Sequence, residues 1–446
     1  MFYIDKNEEL TAELLRKLID RFTTYELPKL RKWENYYNGK HDIIYKTYED
    51  ASKPCNRIVT NFCKIIADTY KGYICGKPIA YTSNNVIDDV QSVINYNDDN
   101  AENVQWLGNA LKYGIAYELQ WLDEFVQPRY SQVSPLNGFV VRDNTLEKKI
   151  LYFVRWYDID NYTDNNKVCV EVYSSTAVTT YIADGIGSAL TFLGEEKHYF
   201  KDVPVSVFDL NEDNENIFNC VIPLNDAYNE LQSAEIDDYT AWVDAYLKLV
   251  GVDADKEDIA EMKKNRVLVM PEGATADWLT KNASDTQIVN MLDNIKKNIF
   301  KVTACPDMAD DNFLAQSGTA LAYKLVGFEN VASGIVAQFT KAIQRRIELI
   351  CNILNLKAAD AVWRDININF VRNLPNNLTE VIQLVNSLKG TVSDKTLLSQ
   401  LPFIDDVDAE IEAVEAQKKA NMDMYGFGVN TETDTDTDES EETGID

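Results

Sequence analysis

Residues 223–250 have the sequence PLNDAYNELQSAEIDDYTAWVDAYLKLV, in which apolar side chains recur every three or four positions. This spacing predicts one helix of roughly 26 residues, about 40 Å long at 1.5 Å per residue. Pro223 suits the first turn of that helix, and Gly251 suits its end. A rod of this length cannot bury its own apolar stripe. It therefore needs neighbours along its length, in this chain or in copies of it.

A second long rod is predicted from Thr319 to about Leu356, again from apolar residues at helical spacing. Gly327 and Gly334 lie inside it and make a bend plausible there. A small module separates the two rods, with a helix at 256–265, strands at 266–270 and 276–280, and then a helix from Asp285 to Val302. Two long helices that flank a small module are the main feature of this half of the chain.

The first 222 residues change their periodicity near Tyr117. Before it, helical spacing predicts helices over 7–38 (two, separated near Pro28), 58–73, 86–96 and 101–113. After it, a period of two predicts an antiparallel meander of about seven short strands. Beyond the long helix we expect a strand at 363–370, helices at 379–388, 393–398 and 406–421, and a disordered acidic tail. The fold class is therefore predicted to be α+β.

The formal net charge of the chain is −29, and eight of the acidic residues lie in 431–446. A protein that grips DNA tightly needs Lys and Arg to neutralise phosphates. Either this chain never meets nucleic acid, or it meets it in a way that must not become binding. No signal peptide or membrane-spanning run is visible, and the odd, widely spaced set of seven cysteines predicts reduced thiols.

Motifs for catalysis are weak. Two histidines support neither a zinc motif nor a catalytic triad, and the spacing around Gly76-Lys77 does not fit a phosphate-binding loop. The loop 305–318 contains Asp307, Asp310 and Asp311, whose carboxylates leave a metal-dependent nuclease or phosphoryl-transfer enzyme open as an alternative. No cofactor is predicted.

A small basic cluster lies on the second rod. Its residues are Lys341, Arg345 and Arg346, with Glu348 close by in the sequence. Such a cluster is usually a solvated face or a set of partners for nearby acids. Contact with DNA or with a neighbouring subunit is the other interpretation.

A collinear set of short motifs carries a resemblance to a known family. These motifs are 36–43 (YYNGKHDI), Pro54, 56–59 (NRIV), 61–62 (NF), 72–73 (GY), 76–79 (GKPI), 114–119 (GIAYEL), 263–273 (KKNRVLVMPEG), 278–281 (WLTK), 306–310 (PDMAD), 320–325 (ALAYKL), 345–348 (RRIE) and the acidic end. In order and over nearly the whole chain, they resemble the portal proteins typical of tailed phages and prophages of Gram-positive bacteria. No single motif is diagnostic, but the ordered set is specific.

The resemblance implies a portal fold and a division of the chain into regions. These are a mixed α/β wing (1–222), a stem helix (223–250), a small α/β clip (251–284), a second stem helix (285–304), a tunnel loop (305–318), a kinked tunnel helix (319–357), a strand returning to the wing (358–375), a helical crown (376–421) and the acidic tail (422–446). Such proteins form dodecameric rings at one capsid vertex and are not enzymes. Another minor virion protein is the remaining alternative.

The resemblance also implies partners and site residues. The partners are copies of the chain, double-stranded DNA in the channel, the large terminase subunit, a head–tail adaptor and the major capsid or scaffolding protein, in the host cytoplasm during assembly and then in the virion, without a membrane. The implied channel-facing residues are Asp310, Asp311, Asn312, Phe313, Gln316 and Ser317. The implied clip contacts are Lys263, Lys264, Arg266, Glu272 and Trp278.

Overall fold

The structure is a computed structural model of the chain. It describes residues 2–50, 53–83, 87–159, 167–242, 247–251, 255, 273–278, 285–309, 318–357, 361–373, 383, 385–398, 401 and 407–424. The chain divides into two compact units, Met1–Asn373 and Leu374–Asp446.

The first unit begins with a short strand and a set of helices. Their bounds are β1 Phe2–Ile4, α1 Ala12–Arg21, α2 Leu27–Tyr37, α3 Phe62–Cys75, β2 Ala80–Ser83, α4 Asp88–Tyr96 and α5 Asp99–Tyr113. The predicted separation near Pro28 is a π-helical turn, Phe22–Glu26, through which α1 continues into α2. Pro28 lies in the first turn of α2, where its missing N–H costs nothing.

Two sheets follow, where a single meander was predicted. Their strands are β3 Ile115–Leu122, β4 Pro128–Val133, β5 Gly138–Asp143, β6 Ile150–Asp158, β7 Val168–Tyr173, β8 Ala177–Ala183, β9 Thr191–Lys197 and β10 Val205–Asp209. The larger sheet has the order β1-β5-β6-β7-β8-β9 and the smaller one β10-β3-β4. In the larger sheet β1 is parallel to β5, and its other pairs are antiparallel.

The helical part of the first unit contains α6 Ile222–Trp242, α7 Asp285–Val302 and α8 Gly318–Leu354, with strands β11 Leu247–Val250, β12 Thr275–Trp278 and β13 Ile366–Asn369. The prediction of one helix to residue 250 was wrong. The helix α6 ends at Trp242, and the alternating residues of β11 pair antiparallel with β12. By contrast, the predicted bounds of α7 are confirmed, and those of α8 agree within two residues.

The long helix α8 crosses the core of the first unit. The ring of Phe339 stacks on Phe208 at 4.6 Å and meets Trp106 edge-on at 5.5 Å, and all three side chains are fully buried. After α8 the chain returns as β13, which pairs antiparallel with β2. These contacts join the second half of the sequence to the first. The combination of separate helices and mainly antiparallel sheets confirms the α+β class.

The described part of the second unit is helical. Its bounds are α9 Asp394–Leu398 and α10 Val407–Met424, which agree with the helices predicted at 393–398 and 406–421. Ser393 immediately precedes α9, and its hydroxyl accepts a hydrogen bond from the backbone N–H of Thr396 at 3.3 Å, as an N-terminal cap does.

Candidate functional site

The helices α6 and α7 pack against each other but leave apolar side chains in solvent. On α6, Tyr228 packs edge-on against Phe62, with ring centroids 5.1 Å apart. Further along the same helix, Tyr239 is 74% exposed; on α7, Val289 is 57% and Met291 48% exposed. The apolar stripe predicted for this rod is thus only partly covered within one chain.

The face of α6 that is buried is polar, which the apolar pattern did not predict. Asn225, Asn229, Ser233 and Asp237 are each at least nine-tenths buried and lie four residues apart on one side of the helix. A buried polar side chain costs stability unless it is hydrogen-bonded. The partners of this stripe lie on a segment from the N-terminal part of the chain.

That segment is residues 56–62, called the strap below. Every second backbone N–H of the strap donates to one side chain of α6. The donor–acceptor distances are 2.6 Å from Asn56 N to Asp237 Oδ1, 3.0 Å from Ile58 N to Ser233 Oγ, 2.9 Å from Thr60 N to Asn229 Oδ1 and 3.2 Å from Phe62 N to Asn225 Oδ1. Asn225 Nδ2 also donates to the Thr60 carbonyl at 2.8 Å. We call this arrangement the ladder.

The regularity of the ladder has a geometric cause. Four residues of α-helix rise about 6.0 Å, and two residues of extended chain span about 6.6 Å. One side chain per helical turn can therefore meet every second N–H of an antiparallel extended segment. The polar side chains of α6 accept the backbone hydrogen bonds that the carbonyl groups of a neighbouring strand would accept in a sheet.

Asn229, one of the four side chains of the ladder, also bonds to His41. The imidazole Nε2 lies 3.0 Å from the carbonyl of Tyr36, which can only accept, so Nε2 carries the proton. Nδ1 then accepts from Asn229 Nδ2 at 3.1 Å. Burial lowers the pKa of His41 below its ordinary value. The neutral ring therefore joins the end of α2 to α6 and the strap.

The basic cluster on α8 has its partners inside the subunit. Arg346 is fully buried; its guanidinium donates to Glu118 Oε1 at 2.8 Å, Glu118 Oε2 at 2.5 Å, Asp99 Oδ1 at 2.5 Å and Asn103 Oδ1 at 2.7 Å. The rings of Trp106 and Tyr130 lie 4.8 and 4.4 Å from it. Because Arg346 is fully buried and these partners lie in the same chain, its guanidinium has a structural role within the subunit.

The environment of Arg346 holds more acid than base. Burial raises the pKa of Glu118 to about 7 against the opposing pull of Arg346, and Asp99 and Glu102 add to the rise. Burial also raises the pKa of Glu102, although Arg346 opposes this shift. The arginine is thus the cation that keeps a group of buried carboxylates in place.

The other two residues of the cluster differ from Arg346. Arg345 is partly buried and bonds to Asp202 Oδ2 at 3.1 Å, Glu348 Oε2 at 2.7 Å and the Val203 carbonyl at 3.2 Å. Lys341 is exposed on α8. Of the three, Lys341 is the one whose side chain is exposed to solvent.

Most of the remaining predicted site residues lie outside the described residues. This holds for Asp310, Asp311, Asn312, Phe313, Gln316 and Ser317 of the expected tunnel loop, and for Lys263, Lys264, Arg266 and Glu272 of the expected clip. Trp278 is in β12, where it pairs with Leu247. These assignments remain predictions.

The alternative metal site finds no support in the described ranges. Asp307 forms an ion pair with Lys296 at 2.7 Å. Within the part of the chain that the structure describes, no group of three or more His, Cys, Asp or Glu side chains could hold a metal ion. Among the same residues, no helix is long and apolar enough to cross a membrane.

Comparisons with known proteins agree with the sequence resemblance. The family model described as "Phage portal protein, SPP1 Gp6-like" matches residues 16–424. The portal protein of Bacillus phage SPP1 is 22% identical over 453 aligned positions, which cover 94% of this chain and 88% of that protein. The portal protein of Clostridium phage phiCD119 is 20% identical, with coverage of 86% and 91%.

Among solved structures, a chain from the neck of an empty GTA particle, computed with C6 symmetry, matches with a TM-score of 0.45 and 14% identity. The match covers 76% of this chain and 89% of that chain.

Proposed function

Because the chain belongs to the phage portal protein family of the SPP1 Gp6-like type, we propose that its copies form a dodecameric ring at one capsid vertex, through which double-stranded DNA is packaged and ejected. Membership of this family makes the chain a component of a phage head. The ring, its channel and its docking partners are the proposal.

The proposal of a ring rests on one observation, which is that apolar residues on α6 and α7 are exposed in the single chain. Tyr239, Val289 and Met291 are each about half or more exposed, along helices whose other sides pack inside the subunit. Exposed apolar side chains that line neighbouring helices are typical of a contact surface. A head-to-tail contact between identical copies closes into a ring when its rotation allows.

The charge of the chain suits a conduit better than a binder. Strong contacts to the phosphates would slow a duplex that has to slide in both directions. An excess of acidic residues instead repels DNA at close range. The net charge of −29 fits this role. We assign no catalytic step to the chain, and ATP hydrolysis would belong to a separate motor.

The regional assignments follow the same proposal. The helices α6 and α7 would be the stem, 251–284 the clip that meets the large terminase subunit and later the head–tail adaptor, 305–318 the tunnel loop, and α8 the helix behind it. Residues 376–421 would be the crown, and the two sheets with the N-terminal helices the wing, beside capsid or scaffolding protein. Lys341 would remain available for DNA or a neighbouring subunit.

Negative-stain microscopy and mass measurement of the purified full chain test the ring. We expect annular particles for the wild-type protein and mostly monomers for Tyr239→Asp, because a carboxylate would then be buried at the contact between copies. Tyr25→Asp is the matched control, since Tyr25 is 71% exposed in the turn between α1 and α2. A wild-type protein that stays monomeric at high concentration would refute the proposal.

A further inference from the structure

We propose that the ladder between α6 and the strap fixes the orientation of α6 and thereby the number of subunits in the ring. This inference rests on the proposed ring. It assigns Asn225, Asn229, Ser233 and Asp237 as positioning residues, which act through the helix that carries the contact surface.

The first argument is that the ladder is directional. Each acceptor on α6 faces one N–H of the strap, and the distances of 2.6 to 3.2 Å leave little freedom along or around the helix axis. Apolar contacts would bury the same face with a less specific register. Buried polar side chains between helices are known to fix register and oligomeric state at a cost in stability.

The second argument is that the ladder and the exposed contact residues share one short stretch of helix. Asp237 bonds to the strap, while Ile236 and Tyr239 on the same turn are 38% and 74% exposed. A rotation or tilt that the strap permits is therefore passed directly to the surface that a neighbouring copy would meet. Lys46 also holds α6 through a salt bridge, in which its Nζ lies 2.7 Å from Glu230 Oε1.

The third argument compares the angular difference between neighbouring ring sizes with the displacement that the hydrogen bonds of the ladder allow. Rings of twelve and thirteen identical copies differ by only about 2° in the rotation between neighbours. The 21 residues of α6 span about 31 Å, so a 2° tilt displaces one end by about 1 Å. Hydrogen bonds with nitrogen–oxygen distances of about 2.7–3.2 Å do not tolerate a displacement of that size. The ladder is therefore stiff enough to select between neighbouring ring sizes.

Native mass spectrometry of rings assembled from the full chain is the test. Ser233→Ala removes the acceptor for Ile58 N in the middle of the ladder, and Asp237→Ala removes the acceptor for Asn56 N at its more accessible end. Thr240→Ala is the matched control, because it also deletes one hydroxyl from α6 but at an exposed position. Circular dichroism checks that each variant remains folded.

We expect one ring mass for the wild-type protein and for Thr240→Ala, and at least two neighbouring ring masses for Ser233→Ala and Asp237→Ala. The inference is overturned if both ladder variants assemble into rings of the single wild-type mass, even if they unfold more easily. That outcome would leave the proposed function intact. A wild-type protein without rings would instead remove the proposed function, and the inference with it.

Discussion

Replacing Arg346 by methionine should be among the most damaging single substitutions in the chain. The methionine fills much of the volume but leaves Glu118 and Asp99 buried without their cation. Removing one partner of a buried, hydrogen-bonded ion pair costs about 3–5 kcal/mol. The full figure applies because Arg346 and Glu118 have no solvent-exposed area. We expect the free energy of unfolding to fall by that amount at pH 8.

The pH dependence of this loss separates uncompensated charge from poor packing. Without Arg346, the pKa of Glu118 in the folded state should rise further above its unfolded value. A carboxyl with a raised folded pKa loses stability as the pH rises above its unfolded pKa, about 4 for a glutamate. The loss should therefore be smaller at pH 5 than at pH 8, by up to about 1.4 kcal/mol for Glu118, because its wild-type pKa of about 7 lies one unit below pH 8.

Urea unfolding of the full chain, followed by tryptophan fluorescence, measures this loss, since Trp106 lies beside the guanidinium. Arg345→Met is the matched control: its partners are partly exposed ion pairs, which are worth about 1 kcal/mol or less. Adding Glu118→Gln to Arg346→Met should restore part of the stability at pH 8. Equal losses for the two arginine variants, or an Arg346→Met loss that does not change with pH, would refute the reasoning.

Three further outcomes can be checked by unfolding experiments. Gly114 has φ +76°, and a Cβ there would lie 2.2 Å from a loop carbonyl, so Gly114→Ala should cost at least about 2 kcal/mol; Gly334→Ala, which meets nothing within 4 Å in α8, should instead stabilise by up to about 1 kcal/mol. Because burial lowers the pKa of His41, the unfolded chain binds its proton first, so stability should fall below about pH 6.5 and His41→Gln should flatten that fall. Burial raises the pKa of Glu329, but hydrogen bonds led by Arg372 outweigh this and hold it below its ordinary value; Arg372→Gln should therefore cost about 1 kcal/mol or less at pH 7, because the pair is partly exposed, and nothing near pH 3, where Glu329 is protonated.

The long helices show what periodicity can and cannot predict. The helix α8 was predicted to within two residues at each end because its apolar stripe meets a core that is continuous along its length. In α6 the apolar spacing predicts a helix, but the buried face is the polar one and not the apolar stripe. Apolar spacing identifies apolar residues but not what covers them, and in α6 they include Tyr239, which is 74% exposed in the single chain. The buried face carries Asn225, Asn229, Ser233 and Asp237, whose four-residue spacing was the available signal.

The strands that were missed have a common physical reason. The seven residues of β9 are exposed on both faces apart from Gly194, so no alternation of apolar and polar residues marks them as a strand. The strand β1 has three residues and pairs in parallel with β5, across more than 130 positions of sequence. Alternation can be recognised only in a longer strand with one buried face: β9 has no buried face, and β1, although Phe2 and Ile4 are buried and Tyr3 is exposed, is too short for the pattern to be recognised.

The candidate site was predictable only in part, because its chemistry depends on partners that are distant in sequence. The sequence identifies Arg346 as part of a basic cluster, but the acids that it pairs with, Asp99 and Glu118, come from α5 and β3. A basic pair on a helix has the same local pattern whether it faces solvent or a buried carboxylate. The family resemblance, by contrast, rests on ordered motifs over the whole chain, and the comparisons confirm it.

The strap bonds to α6 through its backbone, whereas α6 bonds to the strap through its side chains. The two sides of the contact should therefore tolerate substitution to different degrees. Side chains at 57 and 59 can drift with little effect on the ladder, whereas the four polar positions of α6 cannot. Proline is the exception, since it lacks the donor that each rung needs. It should be excluded at the even positions from 56 to 62 and accepted at 57 and 59. Pro54, the next even position, has no N–H to offer, and the ladder goes no further in that direction.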